Sequence, residues 1–155
     1  MAIKKIREPI ISRMSVAGHP IHPMLIHFPV AALLGLIATD SAYIYTQDFF
    51  WARAGYWLVL TGVIGGVISG LIGLIDLLIV TRIRRLVTAW CHAIFAVTML
   101  SVAALNYLLR IPDPATYIFP AGIYLSFLTA LLIFLTSVMG GQLVYEYGVG
   151  VEIPQ

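Results

Sequence analysis

Four apolar runs dominate this chain, each long enough to cross a hydrocarbon core about 30 Å thick as a helix of about 20 residues. They cover about residues 24–45, 54–80, 86–109 and 117–139. A backbone surrounded by lipid can span it only as a helix or within a closed barrel, and runs this long and continuous select helices. Hydrophobic residues make up 61% of the 155 and charged residues 10%, far from the roughly half and a quarter of a soluble globule. The links are short: Gln47-Asp48 with neighbours, Arg82-Ile83-Arg84-Arg85, and Arg110-Ile111-Pro112-Asp113-Pro114. Short links force sequential helices to run antiparallel, so the expected fold is an all-α integral membrane protein with four transmembrane helices in an up-down-up-down bundle. The bundle domain occupies about residues 18–151, after an arm over 1–17 and with an extended tail over 140–155.

Basic residues set the orientation. Lys4, Lys5, Arg7 and Arg13 precede the first run, and Arg82, Arg84 and Arg85 separate the second from the third. Four crossings put both segments on one face, so a multi-pass protein of the bacterial inner membrane with both termini cytoplasmic is expected. The N-terminus has no compact apolar region or small-residue cleavage site, so the first run is read as a retained insertion signal. A formal charge of +2 from dispersed cations leaves no nucleic-acid footprint. Lipid is the expected environment, with a membrane-protein partner or a second copy as company.

Three of the four histidines lie in Gly18-His19-Pro20-Ile21-His22-Pro23-Met24-Leu25-Ile26-His27-Phe28-Pro29, where the arm meets the first run; the fourth is His92. His27 falls within the first turns of helix one, and His92 lies about 10 Å into helix three at about 1.5 Å per residue. On the second helix Gly62, Gly66, Ser69, Gly73 and Asp76 recur at intervals of four, three, four and three, which places them on one face, with Gly65 and Gly70 widening the strip. Small residues at that spacing admit another backbone or a flat ligand. A carboxylate inside a span is costly and marks a functional hypothesis, although an ion pair of Asp76 with Arg82 or Arg84 explains it equally well.

His27, His92 and Asp76 therefore share one layer of the expected bundle. Two axial imidazoles suit the iron of a haem b, with Gly66, Gly70 and Gly73 giving room for the ring and Asp76 accepting the second N–H of a ligating histidine. Alternatively His27, His92 and one of His19 or His22 hold a zinc, copper or iron ion. In polyproline II geometry His19 and His22 would lie about 9 Å apart, too far to chelate one ion as a pair. Pro23 would open helix one, and Pro29 would kink it just past His27. Cys91 is the only cysteine, so no intrachain disulfide forms, and on a helix it points about 100° away from His92. Covalent c-type haem attachment is excluded, because no Cys-x-x-Cys-His is present. No paired carboxylates, P-loop or nucleophile with base appear, so no catalytic residues are assigned.

These motifs resemble a family. The Gly18-His19-Pro20-Ile21-His22-Pro23 stretch running into His27, the strip ending Gly73-Leu74-Ile75-Asp76, the Trp90-Cys91-His92 step and the tail from Gly140-Gly141 to Gly150 together resemble the bacterial predicted membrane proteins called domain of unknown function 2231. The resemblance covers about residues 15–151 and implies a four-helix membrane domain. It also implies a link to redox chemistry, because similar domains are joined to Rieske-type or cytochrome-type modules, which this chain lacks. The expected role is thus membrane electron transfer through a histidine-bound haem or metal, with a redox protein or quinone as possible partner. The alternative is an accessory subunit that docks its glycine strip on a larger respiratory or photosynthetic complex.

Overall fold

The computed structural model describes residues 8–151; Lys4, Lys5 and Arg7 of the expected arm, and 152–155 of the expected tail, lie outside them. Four helical segments, Ile21–Thr46, Phe49–Ile79, Val87–Arg110 and Ile118–Tyr145, are long and apolar enough to cross a membrane. The protein is an all-α, multi-pass membrane protein.

The first segment is two helices, α1 (Ile21–Leu25) and α2 (His27–Thr46). The break falls at Ile26, because Pro29 has no N–H to give the Leu25 carbonyl. The kink therefore precedes His27 instead of following it. Gln47 closes α2 in the left-handed region at φ 57°, and the Asp48 carboxylate accepts from the Phe50 N–H at 2.9 Å to cap α3 (Phe49–Ile79). That cap starts the helix at Phe49, ahead of the apolar run, by satisfying an N–H that would otherwise be orphaned. A short α4 (Thr81–Arg84) leads into α5 (Val87–Arg110). In the following link the Thr116 hydroxyl and the Ala115 N–H both donate to Asp113, holding its carboxyl below the usual range.

An irregular turn at Ile118–Gly122, with Phe119 extended at φ −119° and ψ 130°, leads into α6 (Ile123–Tyr145). This helix runs straight through Gly140 and Gly141, which the sequence reading took as its end. Gly140 is there for a side chain: a Cβ on it would lie 3.3 Å from the His92 ring. The tail is correspondingly shorter than expected, and it is paired. Ile10 donates to the Gly148 carbonyl at 2.9 Å and accepts from Gly150 at 2.8 Å.

Each long helix packs on its sequence neighbours, and α6 closes the ring against α2, which leaves α2 and α5 diagonally opposed. The core between them is built from Leu33, Leu36, Val59, Met99, Ala103, Leu132 and Ile133. Apolar side chains such as Ile68, Leu71, Phe127 and Phe134 also point outward. Helices apolar all round are those of a membrane span. A second cluster of Ile10, Leu77, Ile83 and Ala89 gathers arm, α3, α4 and α5 at one end.

The arm does not form polyproline II. β1 (Ser15–Val16) and β2 (His19–Pro20) pair antiparallel around Ala17 and Gly18, whose φ values of 51° and 79° are those a tight hairpin turn requires. The hairpin reverses the chain and delivers His22 into α1.

Candidate functional site

One face of α3 organises the histidine end. Its buried positions Gly62, Gly66, Ser69 and Asp76 follow the predicted three-and-four spacing, and each seats something from another element. A Cβ on Gly62 would come within 2.5 Å of Leu33, on Gly66 within 2.5 Å of Leu100, and on Gly73 within 3.0 Å of the His22 Nδ1. The strip is consumed within the bundle by two leucines and an imidazole. It is neither an open slot for a flat ring nor a free docking face.

The histidine that meets His92 is His22. Their ring centroids lie 6.1 Å apart with the planes perpendicular. His22 Nδ1 is 2.8 Å from the Ser69 carbonyl and 3.2 Å from the Ser69 hydroxyl, and His92 Nδ1 is 3.0 Å from the Thr136 carbonyl. A carbonyl only accepts, so each ring donates through Nδ1. In the neutral imidazole this leaves each Nε2 with an open lone pair, the tautomer that second-shell partners impose on metal-binding histidines. Among the described residues neither Nε2 has a hydrogen-bond partner, yet no buried side-chain nitrogen or oxygen among them is unsatisfied. Both nitrogens are therefore reachable from outside the packed interior.

His27 is exposed on the outer surface of the bundle and does not face His92. Residues five apart on a helix point about 140° away from each other, so His22 and His27 cannot both turn inward. His19 is exposed as well, its Nδ1 2.8 Å from the Ala17 carbonyl at the hairpin tip. Among the described residues no three His, Cys, Asp or Glu side chains converge to hold an ion, so the expected three-histidine set is not brought together.

Asp76 bonds to no histidine and to no arginine side chain. It accepts from the Ser12 hydroxyl, from the Arg13 N–H at 2.8 Å and from the Met14 N–H at 3.0 Å. Arg82 instead donates to the carbonyls of Glu8 and Pro9, and Arg84 to that of Leu78. The role foreseen for Asp76, orienting a ligating ring by direct contact, is replaced by anchorage of the arm.

A haem does not fit this packing. The notch its ring would need beside Gly66, Gly70 and Gly73 already holds Leu100 and the His22 ring.

The other end of the bundle holds a cluster that sequence reasoning missed. Arg110 forms a bidentate pair with Asp40, at 2.8 Å for each nitrogen, and both side chains are fully buried. Asn106 accepts from Arg110 Nε at 3.0 Å, and the Ser126 hydroxyl donates to Asp40 at 2.7 Å. Gly55 and Gly122 clear the space: a Cβ on either would come within 3.0 Å of the guanidinium. Arg110 had read as a link cation, and Asp40 stands inside the first apolar run. The signal that could have found them is the Asn106-to-Arg110 step, two polar residues one turn apart on a span.

Arg110 ends α5 and His92 lies near its start, so the two clusters are about 27 Å apart along the helix. The family model for predicted membrane protein (DUF2231) matches residues 18–153, from the hairpin through the tail. No curated protein and no solved structure matches the chain. With a match over nearly its whole length, the chain belongs to the DUF2231 family of predicted membrane proteins.

Proposed function

We propose that this protein holds a d-block metal ion between the Nε2 atoms of His22 and His92 and serves electron transfer at one membrane face. The observation that carries the reading is the pair of imidazoles from different helices, each locked by its Nδ1–H on a main-chain carbonyl, with unpartnered Nε2 atoms. Imidazole suits copper, iron and zinc, and only the first two supply the redox couple that electron transfer needs. The other ligand positions are left to water or an incoming donor.

The test is titration of Cu(I) and Zn(II) into the detergent-purified chain. One equivalent is retained, His22→Ala or His92→Ala lowers affinity by more than about 100-fold, and His19→Ala and His27→Ala leave it unchanged. A reducible Soret band lost in His22→Ala would instead restore the haem. Retention of no ion at all would sink the metal reading. It would leave the second reading, a non-catalytic accessory subunit of a larger respiratory or photosynthetic complex, which is favoured by one observation: every buried polar side chain among the described residues is satisfied without a ligand.

The histidine end is read as cytoplasmic in the bacterial inner membrane. Arg13, Arg82, Arg84 and Arg85 are all exposed there, in keeping with positive-inside orientation. In a Cys91→Ser background, a cysteine placed at Gly148 is expected to react only after the membrane is opened to a charged maleimide. Labelling of intact cells would reverse the orientation.

A further inference from the structure

We infer that Asp76 is the positioning residue of the His22 ring, acting at second hand through the N-terminal arm. For its functional weight the inference rests on His22 being a ligand; for its mechanism it rests on geometry alone.

Ser69, Gly73 and Asp76 stand at i, i+4 and i+7 on one face of α3 and meet the same small unit in three ways. The Ser69 carbonyl accepts the ring N–H, Gly73 makes the seat for the ring, and Asp76 fixes the chain that carries it. The carboxylate is 8% exposed and takes three donors from residues 12–14. From there the linkage is main chain. The Met14 carbonyl accepts from the Ile21 N–H at 2.9 Å, at the first residue of α1. The hairpin pairs Ser15 with Pro20 and Val16 with His19. His22 is the next residue of α1, so its backbone is set by the arm before its ring reaches α3.

The opposite side is closed by the tail, where a Cβ on Gly150 would come within 2.6 Å of Pro20. Among the described residues, no other donor bonds to this buried carboxylate. The neighbouring cations, Arg82 and Arg84, are engaged with main-chain carbonyls. Three donors aimed at one carboxylate are the arrangement that holds an irregular segment in a fixed path. Without it residues 12–14 lose these three bonds to α3, while residues 8–10 stay pinned by Arg82, the tail and the apolar contacts of Ile10, and the seat of α1 on α3 loosens.

The experiment follows the ring N–H signals of the metal-free full chain, labelled with nitrogen-15 histidine in detergent, alongside Zn(II) affinity. In Asp76→Ala the slowly exchanging Nδ1–H of His22 is lost while that of His92, bonded to α6, remains. Zn(II) affinity falls about 10–100-fold, as for loss of an outer-sphere partner. Asp76→Asn rescues the His22 signal, because its amide oxygen still accepts from the Arg13 and Met14 N–H groups. Ser12→Ala, which removes one donor outside the spans, speeds exchange at His22 alone, and it decides the matter if Asp76→Ala does not fold. A His22 signal unchanged in both Asp76→Ala and Ser12→Ala, or the His22 and His92 signals lost together, overturns the inference. If the wild-type chain retains no metal, the proposed function fails while the signal comparison still judges Asp76.

Discussion

Replacing Asp40 by Ala is expected to destabilise the bundle by about 3–5 kcal/mol, because it leaves the Arg110 guanidinium buried with its principal partner gone. Arg110→Met should cost a similar amount by stranding the carboxylate. The double variant Asp40→Leu with Arg110→Met removes both charges. It should be at least about 2 kcal/mol more stable than either single variant, with a residual penalty from the unpaired Asn106 carbonyl of about 1–3 kcal/mol. Reversible unfolding in mixed micelles, followed by circular dichroism, measures all three. The expectation follows from burial: both side chains are 0% exposed, whereas an ion pair in water is worth about 0–1 kcal/mol. Single variants that lose less than 1 kcal/mol would show that water reaches the pair and that the cluster does not lock α2 to α5.

The second large effect concerns the glycine face of α3. Gly62→Ala puts a methyl carbon within 2.5 Å of both Leu33 Cγ and one of its methyls. Leu33 is fully buried and its branch point cannot swing aside, so overpacking should cost about 1–3 kcal/mol. Adding Leu33→Ala to Gly62→Ala should cost less than Leu33→Ala alone in the wild-type background, because the new methyl fills part of the cavity. Gly65→Ala serves as the control, since its Cβ would meet Pro29 only at 3.4 Å; a near-zero change is expected. Equal losses at Gly62 and Gly65 would attribute the effect to helix backbone instead of to the seat.

The spans were legible because length and continuous hydropathy leave the backbone one solution in lipid, and the face of α3 was legible from its three-and-four spacing. What fills that face was not. Spacing says that Gly73 admits something, and only the reversal at Ala17-Gly18 makes that something His22. Read as an extended or turn segment, the stretch left His22 only an alternative to His19 as a third ligand, and the place beside His92 went to His27. Gly140 was misread for a related reason: a glycine that ends a helix and one that admits a ring look alike in a sequence. Asp40 and Arg110 escaped as a pair because they are 70 residues apart: the Asn106-to-Arg110 step marks a polar face on one span without naming its partner across the bundle.

That separation bears on how the protein is made. Asp40 enters the bilayer with the first helix, while Arg110 is added only at the end of the third. A carboxylate within a span is costly until it is paired. Nascent chains that end before Arg110 thus carry an unmatched acid, and the first hairpin gains its final stability only when α5 is complete. Assembly becomes a timed event in which the third crossing validates the first.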